Sequence, residues 1–422
     1  MKKPREPASR AAPQGWNILV YIGADNALSS LVPTLRATLR KVRAKPGVTL
    51  CVQETVASKR STSNTAAAKK RSGRAQPPVT KRYVLKNGVA VAARTLGSVD
   101  TGTVAALTNF LDWGVSQAPA SKVALVMISH GTGVGPNGVV AKASRPGKEP
   151  RVQTSGINYS DYFKSSLSIP SLRLGIEAST NQKVDVLVFD ACDMGELELL
   201  YELQNVTTYV VASEETIPIV TTPPPRVAIP GFPYDTWLSA LAARTDAKSF
   251  STTAVDAFIK HQKKSGNSTS VAALDPRAVT TLATAVGALG TLLQIHLATP
   301  GNQDAIEAER QASLGFTIDY FRDLLQVAKN LQTLEKKIPG IAAACSPVVT
   351  ALRPVVLKAE AVSPAKDAAN GLAIVFQEAG SAPLISTYAP LLFAKGAGKG
   401  WYKFLRSFVS KSPSKKRGAA SA

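Results

Sequence analysis

The chain has 422 residues, 45% of them hydrophobic, and carries 50 Lys and Arg against 29 Asp and Glu for a net charge of +21. That length and apolar content bury a large core and suit two or three domains, and no stretch approaches the ~18 uninterrupted apolar residues of a membrane span. Its three cysteines, Cys51, Cys192 and Cys345, exclude a disulfide framework and form no Cys-x-x-Cys or Cys/His pattern for zinc.

Residues 1–13 read as a basic disordered tail. The opening Met1 to Pro7 is charged, with no apolar run before Trp16, so no secretory signal is visible and a cytoplasmic location is expected unless a leader is missing or export is unconventional. Residues 16–22 read as the first strand, with Gly23-Ala24-Asp25-Asn26 as its turn. A helix is expected over 28–42 and a strand over 48–53. Residues 55–80, rich in Ala, Ser and Lys, read as a flexible insertion, and the next strand starts near 82–85. An amphipathic helix over 104–113 leads to the apolar run 123–128, which ends in Ser129-His130-Gly131. The glycines just beyond lack the Gly-Lys-Ser/Thr ending of a phosphate loop. Residues 137–151 form a polar loop with Lys142, Arg145, Lys148 and Arg151.

After a helix over 169–178, the run 184–189 ends in Asp190-Ala191-Cys192-Asp193-Met194-Gly195, with Asp193 expected to start the next helix. Residues 208–212 form another strand, ending in Ser213-Glu214-Glu215, and 221–230 is a proline-rich loop. From about residue 246 the chain is mainly helical, with strands expected at 269–274 and 371–376 and a closing helix over 401–409. Short, nearly continuous apolar runs suit strands buried on both faces, as in a parallel sheet covered by helices. Ligands of such sheets sit at the carboxyl ends of the strands.

His130 and Cys192 each end such a run, beside a glycine or just before one. A thiolate attacks carbonyls, and a thiol of ordinary pKa needs help to ionise. A helix N-terminus after Cys192 and an imidazole on the neighbouring strand would supply that help, and the imidazole would protonate the leaving amine. The N–H groups of Gly131 and Cys192 are candidates for an oxyanion site. A lone cysteine at a strand end is more often an inert core residue; the two strand ends together favour the reactive reading. Cys51, Cys345, His261 and His296 read as structural. Asp190 is on Cys192's side of the strand by its period of two; it either lines a pocket for a guanidinium or ammonium group or makes structural hydrogen bonds. The lysine and arginine runs are either solvated loops or nonspecific polyanion-binding surface; without interleaved aromatics, specific nucleic-acid recognition is not expected.

At these residues the chain resembles the clostripain family of cysteine peptidases, in the caspase-like clan. The matching pieces are residues 16–26, Ser129-His130-Gly131, Asp190 to Gly195, Ser213-Glu214-Glu215, Gly231-Phe232-Pro233-Tyr234, Gly371 to Phe376 and the closing helix. The resemblance implies an α/β fold, a caspase-like three-layer sandwich with a mostly parallel sheet and a helix-rich C-terminal elaboration. It implies a catalytic domain over 14–245, a region 246–408 packed on it and a basic tail over 409–422. His130 would be the general base and acid, Cys192 the nucleophile of a dyad, and Asp190 the base of a pocket for Arg or Lys at P1, with Ser213 and Glu214 beside the substrate. Self-processing between His130 and Cys192 is implied, with Lys142, Arg145, Lys148 and Arg151 as candidate bonds. Some members use Ca²⁺, although no EF-hand loop occurs here. No membrane partner is expected. The rival reading is a catalytically silent scaffold binding partners or polyanions through its basic surface.

Overall fold

The structure, a computed structural model, describes residues 15–58, 76–118, 120, 122–137, 154–218, 220–221, 228–265, 267–362, 368–381 and 384–410. The expected tail 1–13, residues 411–422 of the expected tail 409–422, most of the 55–80 insertion, the candidate processing residues Lys142, Arg145, Lys148 and Arg151, and Pro223–Pro225 lie outside these residues. Val409 and Ser410 belong to the closing helix rather than to a tail.

In chain order the first elements are β1 (Trp16–Ala24), α1 (Val32–Lys41), β2 (Val48–Val56), β3 (Val79–Lys86), β4 (Val89–Gly97), α2 (Val104–Gln117) and β5 (Lys122–Ile128). They are followed by β6 (Gly131–Asn137), β7 (Thr154–Ile157), α3 (Ile169–Glu177), β8 (Val184–Asp190), α4 (Leu197–Leu203) and β9 (Thr207–Ala212). Next come β10 (Val220–Thr221), β11 (Ala228–Ile229), α5 (Tyr234–Ala240), α6 (Ala247–Ser265), β12 (Thr269–Leu274), α7 (Val279–His296) and α8 (Asn302–Ala312). The chain closes with β13 (Phe321–Asp323), α9 (Leu324–Leu331), α10 (Ile341–Leu352), β14 (Val356–Val362), β15 (Ala373–Val375), α11 (Leu392–Lys395) and α12 (Lys399–Ser410).

Nine strands form one sheet in the order β14-β12-β9-β8-β5-β1-β2-β3-β4. The five central strands, β9 to β2, are parallel, and the antiparallel pairs lie at the two edges. Side chains alternate between two cores. Leu19, Tyr21, Leu125, Met127, Leu187 and Phe189 face α2, α3, α4 and the helices after β12. Ile18, Val20, Ile22, Val126, Val186 and Val188 face α1, α5 and α6. Both faces of the central strands are therefore covered, which is why their sequences read as continuous apolar runs. The arrangement is a mostly parallel sheet between two helical layers.

Four differences from expectation have local causes. The insertion is shorter at both ends than 55–80, because β2 continues to Val56 and β3 begins at Val79, and Thr55 and Thr80 share a buried hydroxyl hydrogen bond at 2.9 Å. Strand β4 has nearly every side chain exposed and so no apolar alternation to betray it. Residues 371–376 do not join the main sheet, because Ala373 to Val375 pair with Phe321 to Asp323 instead. Pro276–His296 is long and apolar enough by length and composition to cross a membrane; half of its most apolar window is buried inside the protein. Its Thr, Gly and Gln residues break up the apolar run that the sequence would otherwise display.

Candidate active site

The chain passes from β2 on one side of β1 to β5 on the other, a reversal that opens a crevice at the carboxyl edge of a parallel sheet. Strands β5 and β8 are in register up to Ile128 opposite Asp190, and the Ser129 N–H donates to the Asp190 carbonyl at 3.4 Å. His130 and Cys192 are each two residues beyond that last pair. They leave the same edge of neighbouring strands, and both are partly exposed. The Ser129 hydroxyl donates to the Gly23 carbonyl at 2.6 Å, fastening the stem of His130 to β1. A Cβ on Gly131 would lie 2.4 Å from the Cys192 carbonyl oxygen, so the two segments touch backbone to backbone.

The turn carrying Cys192 is pinned to the end of β9. Met194 and Gly195 donate to the Ser213 carbonyl at 2.9 and 2.8 Å, and Asp193 donates to the Glu215 carbonyl at 3.2 Å. Asp193 has φ +54°, a left-handed conformation, and does not start the next helix. Helix α4 begins at Leu197, is seven residues long and has no side-chain cap. The expected support of the thiol by a helix N-terminus is thus absent; the backbone N–H of Ile217 donates to the Cys192 Sγ at 3.3 Å instead. Burial, reinforced by Asp193, pushes the Cys192 thiol up to about 12 against the lowering effect of that N–H. Burial also lowers His130 below the usual imidazole value, opposed by the Asp161 carboxylate. At neutral pH the resting pair is a neutral thiol and a neutral imidazole, so thiolate must be made by proton transfer. Among the described residues, no acceptor takes the Cys192 backbone N–H.

Asp190 is 7% exposed and accepts hydrogen bonds from the Tyr234 hydroxyl at 2.6 Å and from the Phe232 backbone. Burial raises its carboxyl to about 6, opposed by those two donors. A Cβ on Gly231 would lie 2.3 Å from the Asp190 Oδ1 and 2.4 Å from the Ile217 Cγ2, so Asp190, Gly231 and Ile217 close over one small space beside the thiol. Ser213 and Glu214 are buried and held internally: the Ser213 hydroxyl accepts from the Glu215 N–H at 3.0 Å, and the Glu214 Oε2 accepts from the Gly371 N–H at 2.8 Å. Cys51 and Cys345 are buried away from this edge, each thiol raised by burial to about 12. His261 bonds the Pro230 backbone. Sequence reasoning missed Ile217 and Glu196, whose only trace is the glycine that each one crowds. Among the described residues, no group of three or more His, Cys, Asp or Glu side chains could hold a metal ion, so the Ca²⁺ implied by resemblance is assigned no site.

A thiol and an imidazole thus leave adjacent strand ends of a helix-covered parallel sheet. The model of the clostripain family matches residues 80–388, and the chain belongs to that family of cysteine proteases. No curated protein matches the chain significantly. Among solved structures, it is similar to a secreted C11 cysteine protease from Bacteroides thetaiotaomicron in complex with an irreversible peptide inhibitor, with TM-score 0.60, 18% identity, and coverage of 91% of this chain and 98% of that one. It is also similar to an inactive zymogen C11 protease from Parabacteroides distasonis, with TM-score 0.59, 15% identity, and coverage of 90% and 98%. A further structure, of a secreted C11 cysteine protease from Bacteroides thetaiotaomicron called "iotapain", gives TM-score 0.59, 15% identity, and coverage of 92% and 99%. At these identities the structures share the fold.

Proposed function

We propose that this protein is an endopeptidase that cleaves after Arg or Lys through a Cys192–His130 dyad. The observation that carries the reading is the register of β5 and β8, which delivers imidazole and thiol to one edge with Gly131 against the Cys192 carbonyl. His130 takes the Cys192 proton as Sγ attacks the scissile carbonyl. The tetrahedral oxyanion is met by the N–H groups of Cys192 and Gly131. As the C–N bond breaks, His130 returns the proton to the leaving amine, leaving a thioester that water hydrolyses with His130 as base. Asp190 supports basic P1 selection: it is the carboxylate beneath the thiol, in a region where Asp193 and Glu215 also act on Cys192 despite the chain's positive charge. The Ile217 side chain and backbone close that space, so substrate entry requires this segment to move. Cleavage at Lys142, Arg145, Lys148 or Arg151 is the proposed activating step.

The test is hydrolysis of fluorogenic peptides with Arg, Lys, Asp or Phe at P1 by wild type and Cys192→Ala. Turnover on Arg and Lys that disappears in the variant is expected. Cleavage after Asp or Phe would overturn the pocket assignment and keep the dyad. A folded, reduced protein whose 138–153 segment has been cut, yet turns over no peptide, would leave the scaffold reading.

A further inference from the structure

The piece that superficially resembles a phosphate loop, Gly131-Thr132-Gly133-Val134-Gly135, has a different purpose in this fold. Each of its glycines is crowded by a different neighbour. A Cβ on Gly131 would strike the Cys192 carbonyl, and one on Gly135 would lie 1.7 Å from the Tyr320 hydroxyl. At Gly133, which has φ +55°, a Cβ would lie 2.0 and 2.4 Å from the two carboxyl oxygens of Glu196. Glu196 is 1% exposed and occupies the N-cap position of α4, yet its side chain does not cap that helix. Its Oε1 instead accepts the Val134 backbone N–H at 2.6 Å.

A buried polar side chain is thus turned away from its own helix and given to the segment just past His130. Both ends of this link are fixed elsewhere. The Val134 carbonyl accepts from the Thr387 hydroxyl. On the other side the Gly195 carbonyl accepts from Ala373 N–H at 2.8 Å, and the Gly195 N–H donates to the carbonyl of Ser213, just past β9. We propose that Glu196 is a positioning residue for catalysis: through Val134, in the space left by Gly133, it holds the backbone carrying His130 and Gly131 against the turn carrying Cys192. The inference rests on the dyad reading and adds a component that acts without touching substrate.

The groups facing Glu196 are Glu198 and Asp193 on its own segment and Tyr320 from the loop before β13. Burial first, then Glu198, raises the Glu196 carboxyl well above the usual range. Glutamine matches its length and is the conservative replacement. Glu196→Gln keeps an oxygen for Val134, whereas Glu196→Asp is one methylene too short to reach it.

The experiment measures kcat and KM on an Arg peptide, the melting temperature, and the pH dependence of Cys192 alkylation by iodoacetamide. Glu196→Gln should remain within about twofold of wild type, while folded Glu196→Asp should lose roughly 10- to 100-fold in kcat with KM within about threefold, as expected for a misplaced base. Its alkylation profile should also lose the step that depends on imidazole. If Glu196→Asp does not fold, Glu196→Leu, which fills the space without an acceptor, is read in its place. A folded short or apolar variant with wild-type kcat and alkylation profile overturns the inference. So does a Glu196→Gln variant that falls as far as Glu196→Asp, since that would mean the carboxyl group matters rather than the link. Turnover retained by Cys192→Ala would instead overturn the dyad reading itself.

Discussion

As the base of a pocket for a basic P1 residue, Asp190 would have to carry charge in a place that disfavours it. Burial lifts its carboxyl to about 6, while the Tyr234 hydroxyl and the Phe232 N–H pull in the other direction. If Asp190 receives a guanidinium, kcat/KM on an Arg peptide should fall about tenfold per pH unit as the pH drops below about 6, following a single protonation. Asp190→Asn should abolish that limb, and a limb unchanged in the variant would remove Asp190 from the pocket. Tyr234→Phe removes one of the donors that oppose burial, so the limb should move to higher pH. Stability supplies an independent check. A carboxyl whose folded value lies above its unfolded value of about 4 binds its proton more tightly in the folded state, so its contribution to stability falls as pH rises from about 4 through about 6. Asp190→Asn should therefore melt at or above wild type at pH 8 while losing activity on basic peptides. A clear loss of stability at that pH would mark Asp190 as a purely structural residue.

At the level of elements, the close approach of the strand-end segments is the most sensitive feature. Gly131 is needed for space rather than for a left-handed backbone: it is absent from the positive-φ residues, yet its Cβ would sit 2.4 Å from a backbone oxygen. Gly131→Ala must part β6 from the Cys192 turn by about an ångström, and such misplacement should cost on the order of 100-fold in kcat. Wild-type kcat in this variant would show that the pair tolerates looser geometry. The strands bearing this pair were legible because continuous apolar runs report burial on both faces, and the two ended in groups with obvious chemistry. The turn from Asp193 to Glu196 was not legible. A polar residue before an apolar helical run suggests a cap, but Asp193 turns left-handed and Glu196 bonds a segment more than sixty positions earlier in the chain. Sequence patterns report local preference, and these roles are set by tertiary partners. The same holds for β4, which pairs with β3 but leaves nearly every side chain exposed, and for Ile217, an ordinary apolar residue whose N–H meets the thiol only after folding.

Across the whole molecule, the segments that carry the candidate chemistry are held by residues from the far end of the chain. Gly371 donates to Glu214, Ala373 to the Gly195 carbonyl, and Val375 to Glu198, which also accepts from the Tyr388 hydroxyl at 2.8 Å. Glu215 Oε1 accepts from Thr317, and Glu202 from the Leu392 N–H. Strands β12 and β14 extend the central sheet beyond β9, covering what would otherwise be its edge. Removing these partners would take both printed donors from Glu198 and the Gly371 N–H from Glu214, at about 1–3 kcal/mol for each group left unmet, whereas Glu202 keeps Arg173 and Glu215 keeps Thr216. It would also uncover the apolar side chains of β8, β9 and α4 that share one core with the later helices, a large loss against the ~5–15 kcal/mol net stability of a typical domain. We therefore expect residues 14–245 alone to fail as a folding unit, even though they contain His130, Asp190 and Cys192. Expression of that fragment, followed by circular dichroism and an Arg-peptide assay, should yield no cooperative melt and no turnover. Adding residues 246–410 as a separate chain should restore both, if association can replace the covalent connection. A fragment that melts cooperatively by itself and cleaves the peptide would show that the C-terminal region only decorates a self-sufficient catalytic domain.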